Sequence, residues 1–329
     1  MNVLSLFDGM SCGRIALERL GIQVDNYYAS EIDKYAIQVS QANYPNIIQV
    51  GDVTELDTST LPKIDLIMGG SPCQGFSFAG KQLAFDDPRS ALFFEFVRCV
   101  KELKPKYFLL ENVRMKKEYL DVISEYMGVE PIMINSALVS AQNRVRYYWT
   151  NIPETEQPEQ RGIVLRDILE DGFGSERDKS YCIDANYYKG ASVEQYKKKC
   201  RRQLVNKAIT IDKQKKQLTI KEATKKGYTT IEDGDCFDMT FPNSKTRRGR
   251  NMKDKSNCLT AANYDYMRYE HSDEDKEVYW RKLTPVECER LQTVPDNYTN
   301  HVSNTQRYKM LGNGWTIEVI AHILKNMEL

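Results

Sequence analysis

Apolar runs alternate with amphipathic stretches along the first 150 residues. Val3-Leu4-Ser5-Leu6-Phe7 reads as a buried strand, and residues 14–20, behind a glycine-bearing turn, read as a helix. Further strands are expected at 26–30, 47–50, 65–70, 107–110, 131–137 and 146–150. Helices are expected at 34–43, 91–103 and 115–126. This alternation predicts an α/β fold with a doubly wound, mostly parallel sheet. After Ile152-Pro153 the periodicity fades, and residues 154–278 are polar, basic and tyrosine-bearing. Pattern returns at Tyr279. Thr284, Pro285 and Glu287 have the spacing of an N-cap, a first-turn proline and a capping box. A glycine turn at 311–316 then leads into a helix over 317–327, which brings no strand and should pack back on the first domain. The expected organisation is therefore one domain from 1–153 and 279–329, with a second, smaller domain from 154–278.

Composition adds bounds. The 329 residues are 41% hydrophobic and 28% charged, as in an ordinary globular protein. No apolar run approaches bilayer-spanning length, and the N-terminus enters a strand at once, so neither a membrane segment nor a signal peptide is expected. The eight cysteines form no CxxC pair, which argues against a zinc ribbon or a disulfide framework and for a reducing cytoplasm. No metal site is expected. Formal net charge is zero, yet residues 186–260 carry 19 Lys/Arg against 8 Asp/Glu. Such asymmetry marks a surface for a polyanion. Within it, Lys245, Arg247, Arg248 and Arg250, set among glycine and small polar residues, suit phosphate contacts and guanine-edge readout.

The candidate chemistry centres on Asp-Leu-Ile-Met-Gly-Gly-Ser-Pro-Cys-Gln-Gly-Phe-Ser, residues 65–77. A short strand runs into two glycines that permit close approach to the backbone, and Ser71-Pro72 makes a stiff turn. Cys73 then falls at the C-terminal edge of the sheet, where open α/β folds place ligands. A nucleophile on a rigid turn followed by a long loop suits a substrate that must be covered. Asp8, Glu31, Asp52 and Glu111 close other strands and would line the same edge. Glu31 has the position of a ribose-binding acid or of a solvated helix-start acid. Asp52 suits an adenine amino group or a turn cap.

Ser-Pro-Cys-Gln-Gly-Phe-Ser after Gly-Gly resembles the catalytic motif of the cytosine-C5 DNA methyltransferases. The rest of the chain follows in the family's order, over roughly residues 1–150 and 279–329. Phe7-Asp8-Gly9 resembles the S-adenosylmethionine turn, Glu111-Asn112-Val113 the family's Glu-Asn-Val, and Gln142-Asn143-Arg144-Val145-Arg146 its Gln-x-Arg-x-Arg. Arg281-Lys282-Leu283-Thr284-Pro285 through Gln292 resembles the segment after the recognition domain, and Gly312-Asn313-Gly314 the last cofactor turn. Ser11-Cys12 stands where most bacterial members have a glycine pair, closer to the animal de novo enzymes and their bacterial or phage relatives.

The resemblance implies methyl transfer from S-adenosylmethionine to C5 of a flipped-out cytosine in a specific duplex sequence. It implies Cys73, Glu111, Arg144 and Arg146 as catalytic residues. Phe7, Asp8, Gly9, Glu31, Ile32, Asp52, Val53, Pro72, Asn313 and Gly314 would hold the cofactor. Gln74, Ser77, Lys81 and Arg89 would join the basic cluster at 245–250 on DNA. Residues 154–278 would be the target recognition domain. A monomer on double-stranded DNA is expected, with a restriction endonuclease as possible companion, or a role in phage self-protection. Two rivals remain. A transfer-RNA methyltransferase of the same fold usually has Pro-Pro-Cys and a Cys-Phe-Thr insertion, which this chain lacks. A catalytically idle DNA-binding protein should have lost one of Cys73, Glu111 or Arg144.

Overall fold

The sheet is built from runs whose alternate side chains are hidden on opposite faces. The computed structural model describes residues 1–72, 91–170, 172–200, 202–210, 218–232, 235–238, 251–252, 266–268 and 276–328. β1 (Asn2–Leu6), β2 (Asn26–Ser30), β3 (Ile48–Gln49), β4 (Leu66–Gly69) and β5 (Tyr107–Val113) run parallel. β6 (Ile132–Asn135) and β7 (Val145–Thr150) complete a seven-stranded sheet in the order β3-β2-β1-β4-β5-β7-β6, with β7 antiparallel to both neighbours. The mostly parallel, doubly wound sheet expected from the alternation is present. The antiparallel pair at one edge is the part that alternation did not specify.

The helices, in chain order, are α1 (Cys12–Arg19), α2 (Lys34–Asn43), α3 (Ala91–Leu103), α4 (Lys117–Met127), α5 (Val193–Lys199), α6 (Pro285–Leu291), α7 (Asn304–Asn313) and α8 (Ile317–Leu324). Val3, Leu66, Met68, Tyr107 and Leu109 face one core with Ile15 and Leu17 of α1 and Ile317 and Ile320 of α8. Leu4, Leu6, Ile67, Phe108 and Leu110 face the other, with Phe93 and Phe96 of α3 and Ile123 of α4. Both faces are covered, so these strands read as continuous apolar runs.

Two expectations change in detail. β5 extends to Val113 because β7 pairs with it from Leu109 to Val113, so Glu111 and Asn112 lie within the strand. The turn expected at 311–316 is shorter, because α7 continues through Gly312 to Asn313. The capping box is present: Glu287 N donates to Thr284 Oγ1 at 3.1 Å, and Thr284 N to Glu287 Oε2 at 2.8 Å.

Beyond β7 the chain crosses back over the first core. Leu165, Ile168, Ile183, Tyr187 and Val205 are buried in it beside α1 and α8. β8 (Leu204–Thr210) then pairs antiparallel with β14 (Lys276–Lys282), from Leu204 opposite Lys282 to Thr210 opposite Lys276. Between them, β9 (Leu218–Lys221) and β10 (Tyr228–Ile231) form a hairpin. β11 (Cys236–Asp238), β12 (Asn251–Met252) and β13 (Tyr266–Arg268) form a three-stranded sheet.

Candidate active site

Strand order reverses between β1 and β4, and a cavity of about 590 Å³ opens beyond their C-terminal ends. Open α/β sheets bind ligands at such a crevice, and the volume is that of a small-molecule site. The chain leaves β1 through three residues of positive φ: Phe7 at 56°, Gly9 at 59° and Ser11 at 63°. Two of these are not glycine, so the turn holds strain of the kind that concentrates at functional sites.

Glu31, just past β2, ties this turn in place. Its Oε2 accepts from Gly9 N at 2.7 Å, and its Oε1 accepts from Ile32 N and Asp33 N, both at 2.8 Å. Ile32 is 74% exposed at the cavity rim, an apolar side chain with no core to join. Asp52 caps the next turn by accepting from Thr54 N at 2.9 Å, and Val53 is buried behind it. Phe7, Glu31, Ile32, Asp52 and Val53 therefore meet at one end of the crevice. The end combines an apolar platform with carboxylates, which suits a ligand carrying a flat ring and hydroxyl or amine donors.

Asp8, in the same turn, is held by two hydroxyls. Its buried carboxylate accepts from Ser11 Oγ and from Tyr27 OH at 2.8 Å. Burial raises its pKa to about 6, against the lowering effect of the hydrogen bonds from Ser11, Ser5 and Tyr27. Asp8 lines the cavity and at the same time braces the turn from within. Cys12 also lines the cavity, and burial pushes its thiol up to about 12, which leaves it a poor nucleophile.

The far end is built on β4, β5 and β7. Glu111 is 8% exposed, and Arg146, opposite Val113, reaches it diagonally across the strand pair, with Nε 2.9 Å from Oε1. Gly70 sits directly beside this carboxylate: a Cβ there would be 2.8 Å from Glu111 Oε2. Asn112 Nδ2 donates to Ser71 Oγ at 3.3 Å, which fixes the stretch leading to Pro72 at the cavity wall. Cys73, Gln74, Ser77, Lys81 and Arg89 lie outside the described residues, as do Lys245, Arg247, Arg248 and Arg250.

Arg144 is placed differently from Arg146. It is 3% exposed, and its guanidinium donates to the carbonyls of Ile183 at 3.1 Å, Gly312 at 3.2 Å and Gly314 at 2.8 Å. It clamps the 182–183 segment to the turn bearing Asn313 and Gly314, which lines the crevice. Gln292 Nε2 holds the same turn through Leu311 O at 2.7 Å and Gly314 O at 3.1 Å. Two contributors escaped sequence reasoning. Residues 182–185 wall the cavity, and Trp315 Nε1 donates to Glu111 Oε2 at 3.2 Å. The only hint of Trp315 in the sequence was its place next to Gly314.

The strand order and the crevice at the sheet's C-terminal edge define a class: an α/β protein with a crevice of small-molecule size beside a buried, arginine-paired carboxylate. Comparison with known proteins narrows the class. The C-5 cytosine-specific DNA methylase family matches residues 1–329. The type II methyltransferase M1.ScrFI of Lactococcus lactis subsp. cremoris is 32% identical, covering 99% of this chain and 77% of that protein. The type II methyltransferase M.NlaX of Neisseria lactamica is 29% identical, covering 99% and 96%. Among solved structures, the Entamoeba histolytica methyltransferase EhMeth shares the fold with a TM-score of 0.60 at 17% identity, covering 99% of this chain and 97% of that one. The chain belongs to the C-5 cytosine-specific DNA methylase family and is a DNA (cytosine-5-)-methyltransferase. Among the described residues no helix is long and apolar enough to cross a membrane.

Proposed function

We propose that the enzyme binds S-adenosylmethionine in the β1–β4 crevice and methylates a cytosine flipped out of duplex DNA, with Cys73 as nucleophile. The observation that carries this is Glu111, held by Arg146 at the far end of the crevice and a short step from Pro72. The near end fits the cofactor: Phe7 and Ile32 would flank the adenine, Glu31 and Asp52 would take the ribose hydroxyls and the amino group, and Asn313-Gly314 would close the wall. S-adenosylmethionine, when bound, supplies an electrophilic methyl group.

Cytosine C5 is a weak nucleophile. Addition of the Cys73 thiolate to C6 converts the ring to an enamine whose C5 can accept a methyl group. Glu111 would hold N3 and the exocyclic amine and share a proton with N3 as charge builds on the ring. Arg146 would hold Glu111 and the base carbonyl. Loss of the C5 proton then expels the thiolate and restores the aromatic ring. The role expected for Arg144 becomes one of support, since its donors already serve three carbonyls. A base stacked in a duplex cannot reach this crevice, so it must be extruded, at a cost of a few kcal/mol.

Target recognition is proposed for the segment 154–278, chiefly for its part between β8 and β14, since Leu165, Ile183, Tyr187 and Val205 also pack in the main core, with Lys245, Arg247, Arg248 and Arg250 on DNA. Gln74, Ser77, Lys81 and Arg89 are proposed to contact the DNA around the flipped base. The enzyme would act as a monomer in the cytoplasm, and its similarity to type II methyltransferases favours a companion restriction endonuclease. The test is tritium transfer from labelled S-adenosylmethionine to unmethylated duplex DNA. Wild type should label 5-methylcytosine at one short sequence, and Cys73→Ala should lose the label entirely. Label that persists in the alanine variant would refute the covalent route.

A further inference from the structure

We propose that Trp315 is a positioning residue for Glu111, fixing the carboxylate plane that receives the target cytosine; this rests on the reading of Glu111 as the base-holding acid. Both carboxylate oxygens are engaged from opposite directions. Arg146 Nε lies 2.9 Å from Oε1, reaching in from the sheet. Trp315 Nε1 donates to Oε2 at 3.2 Å, reaching in from the turn between α7 and α8. The final torsion of a glutamate is broad and poorly staggered, so its plane is loose unless partners hold it. An ion pair on one oxygen and a directional hydrogen bond on the other restrict that freedom, and the hydrogen bond is the one that sets the plane. Each oxygen has more than one lone-pair site, so one oxygen can share a proton with N3 while the other accepts from the exocyclic amine of the base.

The indole is itself anchored for this task. Its neighbours on both sides are tied down: Arg144 and Gln292 hold the Gly314 carbonyl, and Thr316 Oγ1 donates to Gln292 Oε1 at 2.9 Å. Ser136 Oγ, at the start of the chain segment between β6 and β7, donates to Thr316 Oγ1 at 2.9 Å. Gly70 supplies an independent sign that the pair is seated closely. A Cβ there would lie 2.8 Å from Glu111 Oε2 and 3.1 Å from Trp315 Nε1, so the residue just past β4 leaves room for both. Trp315 also lines the cavity between the cofactor end and the base end, so its hydrogen bond is made at the point where the two ligands would meet.

A ring that only filled space would do its work without the N–H. Two substitutions separate these roles: Trp315→Phe, and Trp315→benzothienylalanine, in which sulfur replaces N–H and the ring keeps its volume. With unmethylated duplex DNA, both should lower kcat on the order of tenfold or more, the scale of a lost hydrogen bond to a charged group. The thermal midpoint should stay within about 4 °C of wild type and the affinity for S-adenosylhomocysteine within about twofold. In a Glu111→Ala background the same substitutions should cost less than about twofold further, because the acceptor is gone. Unchanged kcat in the benzothienylalanine variant, or an equal loss in the Glu111→Ala background, would overturn the positioning role alone. Wild-type activity in Glu111→Ala itself would overturn the reading of Glu111 and this proposal with it.

Discussion

A carboxyl group buried among hydroxyls makes Asp8 a recorder of pH. Its pKa is raised to about 6 because desolvation outweighs the hydrogen bonds from Ser11, Ser5 and Tyr27. An unfolded aspartate titrates near 3.9, so the folded state binds the proton more tightly. The stability this contributes is fully present below about pH 4 and is lost as pH rises through 6. Across two units the effect is about 3 kcal/mol. Asp8→Asn keeps an acceptor for Tyr27 and cannot titrate. Denaturant melts at a series of pH values should show the variant gaining on wild type by about that amount between pH 4 and 7. Parallel curves would show that Asp8 does not titrate in this range. Asp8 also illustrates where sequence reasoning stops. Its place after β1 was legible from the motif, but the direction of its carboxylate depends on Tyr27, nineteen residues away.

At the level of elements, the crevice depends on how α7 ends. Gly312 lies within the last turn of that helix, and a Cβ there would be 2.2 Å from the Asp184 carbonyl carbon and 2.4 Å from Ala185 N. Both obstacles are backbone, so neither can swing aside. Gly312→Ala should therefore force α7 away from the 182–185 segment. The expected cost is at the upper end of overpacking penalties, about 3 kcal/mol, with a fall in cofactor affinity of more than tenfold. Isothermal titration with S-adenosylhomocysteine checks this, and unaltered affinity would contradict it. The parallel strands were readable because burial on both faces makes them unbroken apolar runs. α7 was not, because residues 304–309 are mostly polar and its buried side chains, among them Tyr308, Met310 and Leu311, crowd its second half. The small strands after Thr210 are two to four residues long, too short to show a period. The Trp315–Glu111 contact joins residues 204 apart, and no local pattern announces it.

For the whole molecule, the pairing of β8 with β14 places the exit and return of the intervening chain side by side, Thr210 opposite Lys276. Replacing residues 211–275 by Asn-Gly, the sequence suited to a two-residue hairpin turn, should close this pair without strain. The shortened protein should keep affinity for S-adenosylhomocysteine within about threefold, because Leu165, Ile183, Tyr187 and Val205 stay in the main core. Sequence-specific methylation should disappear. Loss of both properties, with an unfolded far-UV spectrum, would show that the removed segment is needed by the core.

The clamp formed by Arg144 also has a consequence for timing. It joins strand-edge chemistry made early in synthesis to carbonyls at Gly312 and Gly314, and α8 then docks on α1 through Glu318 and Arg19. A nascent chain on the ribosome that still holds residues 312–324 inside the exit tunnel has no closed crevice and no indole beside Glu111. A chain terminated before Gly312 should therefore bind no S-adenosylhomocysteine even when it is protected from proteolysis.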